Sequence, residues 1–192
     1  LLATALLAIL ISAGLAVYIS SQDTSLSPET YEIINKSIET GPNEQIKGDT
    51  GFAKSGDIDI WYEVIKPKRR IAKGSVLLIM GIGNDALAWP EFFLQAPLDS
   101  GYQVIRFDNR GTGQSDWIKN WDRDNPYTLE DMAGDAVAVL EHLEIDAAHI
   151  VGVSMGGMIA QSLAIHFPQK TLSLTTIMSS GDIMDPDLPG IP

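Results

Sequence analysis

The nine residues His149-Ile150-Val151-Gly152-Val153-Ser154-Met155-Gly156-Gly157 join an apolar run to a helix-forming run. The apolar first half is typical of a strand that is buried on both faces of a sheet. Residues 155–166 predict a helix that ends before Pro168. A serine with a glycine two residues away on each side therefore stands at a strand-to-helix junction. This context predicts a G-x-S-x-G turn that raises the Ser154 hydroxyl above the edge of the sheet.

The spacing of this turn has a physical basis. A sharp strand-to-helix turn forces the serine backbone into a strained conformation, and Gly152 and Gly156 remove side chains that would collide in it. The helix behind Ser154 points unpaired N–H groups at the site, which favours a developing oxyanion. The alternative interpretation is a glycine-rich junction with a structural serine.

Patterns on both sides of the turn predict the remaining elements. Thr128 and Asp131 have the spacing of a helix N-terminal cap, and an apolar face follows them. The predicted strands are 52–54 and 58–64, which form a hairpin, then 76–80, 104–107, 149–153 and 172–178. The predicted helices are 90–98, 128–143 and 155–166. Alternating strands and helices predict an α/β fold with a mostly parallel, doubly wound sheet.

Composition excludes several classes of function. The chain has 192 residues, a formal net charge of −12 and no cysteine. The negative charge argues against a nucleic-acid partner, and the absence of cysteine excludes a disulfide scaffold, a thiolate zinc site and a cysteine nucleophile. Gly81-Ile82-Gly83 lacks the third glycine of a dinucleotide-binding loop, and no Gly-Lys-Ser/Thr phosphate loop is present. No cofactor and no metal are expected.

The N-terminal residues have a different composition. Sixteen of the residues 1–20 are apolar, and no charge precedes Asp23. Twenty helical residues span about 30 Å, the thickness of the hydrocarbon core of a membrane. We therefore expect residues 1–22 to be a transmembrane anchor or a signal segment, residues 23–48 a linker, and residues 49–192 the catalytic core. Because the flank after the apolar run is acidic, we expect the core to be extracytoplasmic and anchored to the membrane, or secreted after cleavage.

The landmarks after residue 50 resemble those of the α/β-hydrolase superfamily. They are Leu77-Leu78-Ile79-Met80-Gly81-Ile82-Gly83, Arg106-Phe107-Asp108-Asn109-Arg110-Gly111-Thr112-Gly113-Gln114-Ser115, and the turn around Ser154. Their order and spacing are similar to the strand-3 loop, the strand-4 loop and the nucleophile elbow of that superfamily. Within it, the chain is most similar to aclacinomycin-methylesterase-like esterases.

The resemblance implies a role for individual residues. Ser154 matches the nucleophile, and the backbone N–H of Met155 matches one oxyanion donor. The second donor falls on the N–H of Ile82, with Gly83 as the alternative, because Met80 stands where the superfamily usually has histidine. Gly152 and Gly156 match the glycines of the elbow. Two further positions, Asp108 and Arg110, match residues that brace the strand-4 loop.

A serine nucleophile needs a base, and none of the three histidines is placed to serve. His142 ends a helix at the opposite edge of the sheet. His149 begins the strand that leads to Ser154, about 16 Å away, and His166 lies about 18 Å along the following helix. Asp182, Asp185 and Asp187 follow the sixth strand, but the resemblance places the triad acid later. We therefore expect the chain to be truncated at its C-terminus, with the base, and with it the acid, beyond the end.

The sequence thus predicts a serine hydrolase that acts on a small-molecule, ester-like substrate through an acyl-enzyme. The 192 residues alone are expected to be inactive. Two alternatives stay open: a non-catalytic, membrane-tethered binding domain, or an inactive truncated fragment. Acyltransferases and carbon–carbon bond hydrolases share the same nucleophile, so the resemblance does not select among these reactions.

Overall fold

The computed structural model describes residues 27–30, 32, 46–68, 71–119, 122–124 and 126–181. The chain divides into two compact units, Leu1–Gln45 and Ile46–Pro192. The predicted membrane or signal segment lies outside the described residues and stays a prediction. No helix in the described ranges is both long enough and apolar enough to cross a membrane. In the first unit, Pro28–Thr30 are helical and the Thr30 N–H donates to Ser27 Oγ at 3.2 Å, as expected for an N-terminal cap.

The second unit contains a six-stranded sheet in the order β1-β2-β4-β3-β5-β6. The strands are β1 (Asp49–Ser55), β2 (Ile58–Ile65), β3 (Ser75–Ile79), β4 (Gln103–Phe107), β5 (Ala148–Val153) and β6 (Thr171–Ile177). The first two strands form the predicted hairpin, and β2 pairs antiparallel with β4. Strands β4, β3, β5 and β6 are parallel to one another. The mostly parallel α/β architecture is confirmed.

Three helices connect the parallel strands: α1 (Glu91–Asp99), α2 (Leu129–His142) and α3 (Met155–His166). Helix α2 begins with the predicted capping box, in which the Thr128 side chain accepts from the Asp131 N–H and the Asp131 carboxylate accepts from the Thr128 N–H. These reciprocal bonds satisfy backbone donors that the first turn of a helix leaves unpaired.

Apolar side chains form a core on each face of the sheet. The larger core packs α2 and α3 against one face and includes Leu77, Ile79, Ile105 and Ile150. The smaller one packs α1 against the other face and includes Leu78, Val104 and Leu94. Successive residues of β3 alternate between the two cores because side chains in a strand alternate between faces. This burial on both faces accounts for the continuous apolar runs in the sequence.

One buried ion pair crosses from the hairpin to the central strands. Arg106 of β4 donates from Nε to the carboxylate of Glu63 at 2.6 Å, and both side chains are almost fully inaccessible to solvent. Glu63 also accepts from the Gly48 N–H at 2.7 Å, so the pair connects the start of the unit to its sheet. A buried charge needs such partners because desolvation alone would be too costly.

Candidate active site

Ser154 lies at the carboxyl end of β5, directly before α3. Its backbone has φ 54° and ψ −125°, a conformation that non-glycine residues rarely adopt, and its side chain is exposed. The Ser154 N–H donates to the Ile177 carbonyl at 2.9 Å, which connects the turn to the end of β6. The turn therefore presents the serine hydroxyl to solvent at the edge where the parallel strands end.

The two glycines of the elbow are required by close packing of backbone on backbone. A Cβ atom at Gly156 would overlap the carbonyl of Ile79 in β3. A Cβ atom at Gly152 would overlap the carbonyl of Gly156. The first turn of α3 therefore lies directly against the strands, as the glycine spacing predicts. Gly157 has a different neighbour, because its Cβ would lie 2.5 Å from the Cβ of Ser179, after β6.

The loop after β3 lies beside the serine. A Cβ atom at Gly81 would stand 3.1 Å from Ser154 Cβ and 3.6 Å from Ser154 Oγ. The next residue, Ile82, has an exposed side chain, and its N–H donates no hydrogen bond to the described residues. Met155 begins α3, so its N–H has no acceptor within the helix. In the part of the chain that the structure describes, neither N–H has a backbone acceptor, and both lie beside Ser154.

The turn after β4 holds this loop through two adjacent buried side chains. Asp108 accepts hydrogen bonds from the N–H of Ala86 at 2.8 Å and from the N–H of Gln114 at 2.7 Å. Burial raises the pKa of the Asp108 carboxyl above its usual range, although both N–H groups act in the opposite direction. Asn109 donates from Nδ2 to the Met80 carbonyl at 2.9 Å. Both ends of the loop from residue 80 to residue 86 are therefore fixed to β4.

Arg110 connects the same turn to helix α2. Its guanidinium donates to both oxygens of Asp135, at 2.6 and 2.8 Å, and its charge lies 5.2 Å from the centre of the Tyr127 ring. The Asp135 side chain is 1% exposed. Hydrogen bonding to that carboxylate raises the pKa of Arg110. The hydrogen bonds of Asp108 and Arg110 thus join segments of the structure to one another and do not involve Ser154.

The three histidines make contacts remote from Ser154. His149 pairs with Val76 at the start of the parallel strands, and its Nδ1 lies 2.8 Å from Ser173 Oγ. His142 packs its ring 5.5 Å from that of Tyr62. His166, at the far end of α3, lies 3.6 Å from the carboxylate of Glu130. No hydrogen bond joins any of them to Ser154 within the described residues. The candidate acids Asp182, Asp185 and Asp187 lie outside those residues.

Comparisons with known proteins agree with this arrangement. The sequence model of the α/β-hydrolase fold matches residues 74–191, which include the turn around Ser154 and both supporting loops. The chain belongs to the α/β-hydrolase fold family. The elements of this hydrolase-fold chain follow the expected order, with Ser154 at the strand-to-helix turn after β5.

Curated relatives of this hydrolase-fold chain include two methylesterases. It is 34% identical over 141 residues to rhodomycin D methylesterase DnrP of Streptomyces peucetius, a match that covers 72% of this chain and 44% of the relative. It is 36% identical over 139 residues to rhodomycin D methylesterase DauP of Streptomyces sp. strain C5, with the same two coverages. The chain thus spans less than half the length of these relatives.

Solved structures show the same likeness. A probable hydrolytic enzyme from Pseudomonas aeruginosa PAO1 superposes with a TM-score of 0.61 at 26% identity, over 69% of this chain and 42% of the other. The sequence-based assignment to the superfamily, on its esterase side, is therefore confirmed.

Sequence reasoning did not find the roles of Asn109 and Gly81. Asn109 lies within the strand-4 landmark, but the bond from its side chain to Met80 joins positions 29 residues apart. Gly81 falls within the strand-3 loop landmark, but the sequence assigns it no role of its own. The signal that could have found it is its place directly after a buried strand, where a parallel neighbour carries the serine.

Proposed function

We propose that this protein is a carboxylic ester hydrolase that uses Ser154 as its nucleophile. The observation that carries the proposal is the strained, exposed Ser154 at the strand-to-helix turn, with Gly81 packed against it. Neither a buried structural serine nor a relaxed loop serine needs this backbone conformation. The two methylesterase relatives support an ester as the substrate class.

In this mechanism, Ser154 Oγ attacks the carbonyl carbon of the ester and its proton passes to a general base. The resulting oxyanion accepts hydrogen bonds from the N–H groups of Met155 and Ile82. Collapse of the tetrahedral intermediate breaks the bond to the alkoxy oxygen, which leaves as the alcohol with the proton from the base. Water then attacks the acyl-enzyme by the same route and releases the carboxylic acid.

The proposal assigns the general base to a histidine outside these 192 residues. It rests on the contacts of His142, His149 and His166, each of which faces a partner other than Ser154. A base must come within about 3.2 Å of the hydroxyl whose proton it takes. The triad acid is assigned to the same additional part of the polypeptide.

The experiment measures hydrolysis of p-nitrophenyl acetate and butyrate by the protein at the length its gene encodes. Ser154→Ala is expected to lower the rate at least about 1000-fold. Ser162→Ala, on the same helix, is the matched control and is expected to retain the rate. A fluorophosphonate probe should label Ser154, as located by peptide mass spectrometry. Undiminished turnover by Ser154→Ala would refute the proposal.

The 192-residue chain provides a second arm of the test. It is expected to show no turnover above its Ser154→Ala variant, because it contains no histidine within reach of Ser154. Serine-dependent turnover by this chain would show that one of the three histidines serves as the base, and would overturn their assignment to other roles.

The proposed location is a membrane, with residues 1–20 as the anchor and the hydrolase core on the extracytoplasmic side. The support is the apolar run before Asp23 and the acidic flank after it. Carbonate extraction of membranes should leave the protein in the pellet, and protease added to intact cells should degrade the core. A mature protein that begins after residue 20 would favour cleavage and secretion instead.

A further inference from the structure

The loop from Met80 to Ala86 carries Ile82 but has little structure of its own. Ile82 and Gly83 form a turn, and residues 81–84 make no hydrogen bond to the described residues outside the loop. Gly83 has φ 78°, and the loop contains a second glycine at position 81. Glycine gives the backbone access to many conformations. The position of the Ile82 N–H therefore depends on how the ends of the loop are fixed.

Two consecutive residues of the turn after β4 fix those ends. Asn109 Nδ2 donates to the Met80 carbonyl at 2.9 Å, at the start of the loop. Asp108 accepts from the Ala86 N–H at 2.8 Å, at its end. Each of these side chains is 2% exposed. Water therefore competes little for either bond, and the low local dielectric strengthens both.

The Met80 carbonyl is the point where the loop, the elbow and the turn after β4 meet. Met80 follows the last residue of β3, and a Cβ at Gly156 would lie 2.7 Å from its oxygen. This carbonyl is thus enclosed by the first turn of α3 on one side and by Asn109 on the other. Rotation of the peptide between residues 80 and 81 would move Gly81, which packs against Ser154.

We propose that Asn109 is a positioning residue: its side-chain amide fixes the Met80 carbonyl and thereby holds the Ile82 N–H in place relative to Ser154 Oγ. This inference rests on the proposed function, since it concerns an oxyanion donor. Asn109 does not touch the reacting atoms. It bonds the Met80 carbonyl, and the N–H that it positions belongs to Ile82, two residues further along the loop.

The amide contributes as a donor only. Its Oδ1 atom is buried and has no hydrogen-bond partner among the described residues. Asn109→Asp keeps the shape but places a carboxylate oxygen against the Met80 carbonyl, and Asn109→Leu keeps the approximate volume without any donor. An oxyanion donor acts only when it is aimed at the position that the oxyanion occupies. Both substitutions are therefore expected to impair the transition state more than substrate binding.

The first readout is steady-state hydrolysis of p-nitrophenyl acetate by the protein at the length its gene encodes. Both Asn109 variants are expected to lower kcat by roughly 10- to 100-fold and to change KM by less than about 3-fold. Ser75→Ala is the matched control. It removes the hydrogen bond from Gln103 Nε2 to a buried hydroxyl at the start of β3, away from the loop, so it should reduce stability and leave kcat unchanged.

The second readout does not depend on activity. Backbone 15N order parameters of Gly81, Ile82 and Gly83 are expected to fall in both Asn109 variants and not in Ser75→Ala. Wild-type order parameters in both Asn109 variants would overturn the inference whether or not the protein hydrolyses esters.

The two proposals fail in distinguishable ways. Undiminished activity in Ser154→Ala would refute the function and leave the order parameters of the loop to decide whether Asn109 anchors it. Ser154-dependent activity with unchanged kcat in folded Asn109→Asp and Asn109→Leu would refute the positioning role and leave the function intact.

Discussion

The elbow around Ser154 and the turn after β4 lie at the same edge of the sheet, yet they are held in opposite ways. The elbow, Gly152 to Gly157, depends on missing side chains, because any Cβ at Gly152 or Gly156 would overlap a neighbouring carbonyl. The turn from Asp108 to Ser115 depends on the side chains that are present: Asp108, Asn109 and Ser115 are each 2% exposed and hydrogen bonded.

The difference follows from what each segment presents. The elbow exposes one hydroxyl, that of Ser154. Close backbone packing fixes the elbow without polar side chains that would form hydrogen bonds with this hydroxyl. In the turn after β4, by contrast, the polar side chains of Asp108, Asn109 and Ser115 are buried. This turn holds a glycine-containing loop in place, which requires donors and acceptors aimed at particular peptide groups. We expect the elbow to fail when atoms are added and the turn to fail when polar groups are removed.

Gly156→Ala tests the elbow and should have the largest effect. The added Cβ would overlap the carbonyl of Ile79 and force α3 away from β3. The free energy of unfolding should fall by at least about 3 kcal/mol, measured from urea denaturation.

Gly134→Ala is the matched control for that substitution. Its Cβ would meet no atom within 4 Å, and it lies inside α2. Because alanine is a better helix former than glycine, the free energy of unfolding of this variant should rise by up to about 1 kcal/mol. Equal shifts of the two urea midpoints would contradict the steric account of the elbow.

Arg110→Ala tests the turn after β4. It leaves the Asp135 carboxylate, 1% exposed, without its paired charge. Loss of one partner of a buried pair costs about 3 kcal/mol or more. The double variant with Asp135→Ala should lose less free energy of unfolding than the sum of the losses in the two single variants, because no unpaired charge remains.

The exposed pair between Lys54 and Asp59 provides the comparison for this test. Its ammonium and carboxylate lie 2.9 Å apart, with side chains 68% and 41% exposed. Lys54→Ala should cost no more than about 1 kcal/mol. If thermal unfolding shows the same loss of stability for Lys54→Ala and Arg110→Ala, burial does not make the Arg110–Asp135 pair stronger than the exposed pair.

Asp108→Asn sharpens the comparison through pH. The amide keeps one acceptor and loses the other, so one of the N–H groups of Ala86 and Gln114 becomes unpaired, at a cost of about 1 to 3 kcal/mol. Burial raises the folded-state pKa of Asp108 above 3.8, so the folded protein holds this proton more tightly than the unfolded chain does. The contribution of this proton to the free energy of unfolding is complete below pH 3.8 and is lost as the pH rises through the raised pKa of Asp108.

The free energy of unfolding of the wild type minus that of Asp108→Asn should therefore decrease as the pH rises from about 3 to 7. Chemical denaturation at several pH values measures it. An increase over that range would mean that the two N–H donors outweigh burial at Asp108.

The capping box of α2 is outside both regions and should show the smallest effect. Thr128→Ala is expected to cost about 1 kcal/mol, and Asp131→Asn about half of that because this carboxylate is exposed. Hydrogen bonds from the N–H and the hydroxyl of Thr128 lower the pKa of Asp131 below 3.8. The contribution of Asp131 is therefore present above pH 3.8 and is lost as the pH falls through the lowered pKa.

The stability penalty of Asp131→Asn should accordingly shrink on acidification. Glu144→Gln, just after the same helix, serves as the control because its exposed carboxylate makes no ion pair with the described residues. A penalty for Asp131→Asn that grows on acidification would exclude the capping box as its cause.

The order of strands and helices could be predicted from the sequence because each element carries its own local signal. A continuous apolar run indicated β3, mostly apolar runs indicated β4 and β5, and Thr128 with Asp131 indicated the start of α2. The place of Ser154 followed from a glycine on each side of it between a strand and a helix. The partners of Asn109, Arg106 and Arg110 could not be predicted, because each bond joins segments that only the folded sheet brings together.

The sequence by itself determined the fold class, the position of Ser154 at the strand-to-helix turn and the need for glycine at 152 and 156, because strand period, helix caps and the elbow are local patterns. The tertiary structure alone decided which side chains hold the candidate oxyanion loop. It also decided that His142, His149 and His166 contact residues other than Ser154. Such contacts depend on strand order and on the packing of helices against the sheet, and neither is encoded within a short stretch of chain.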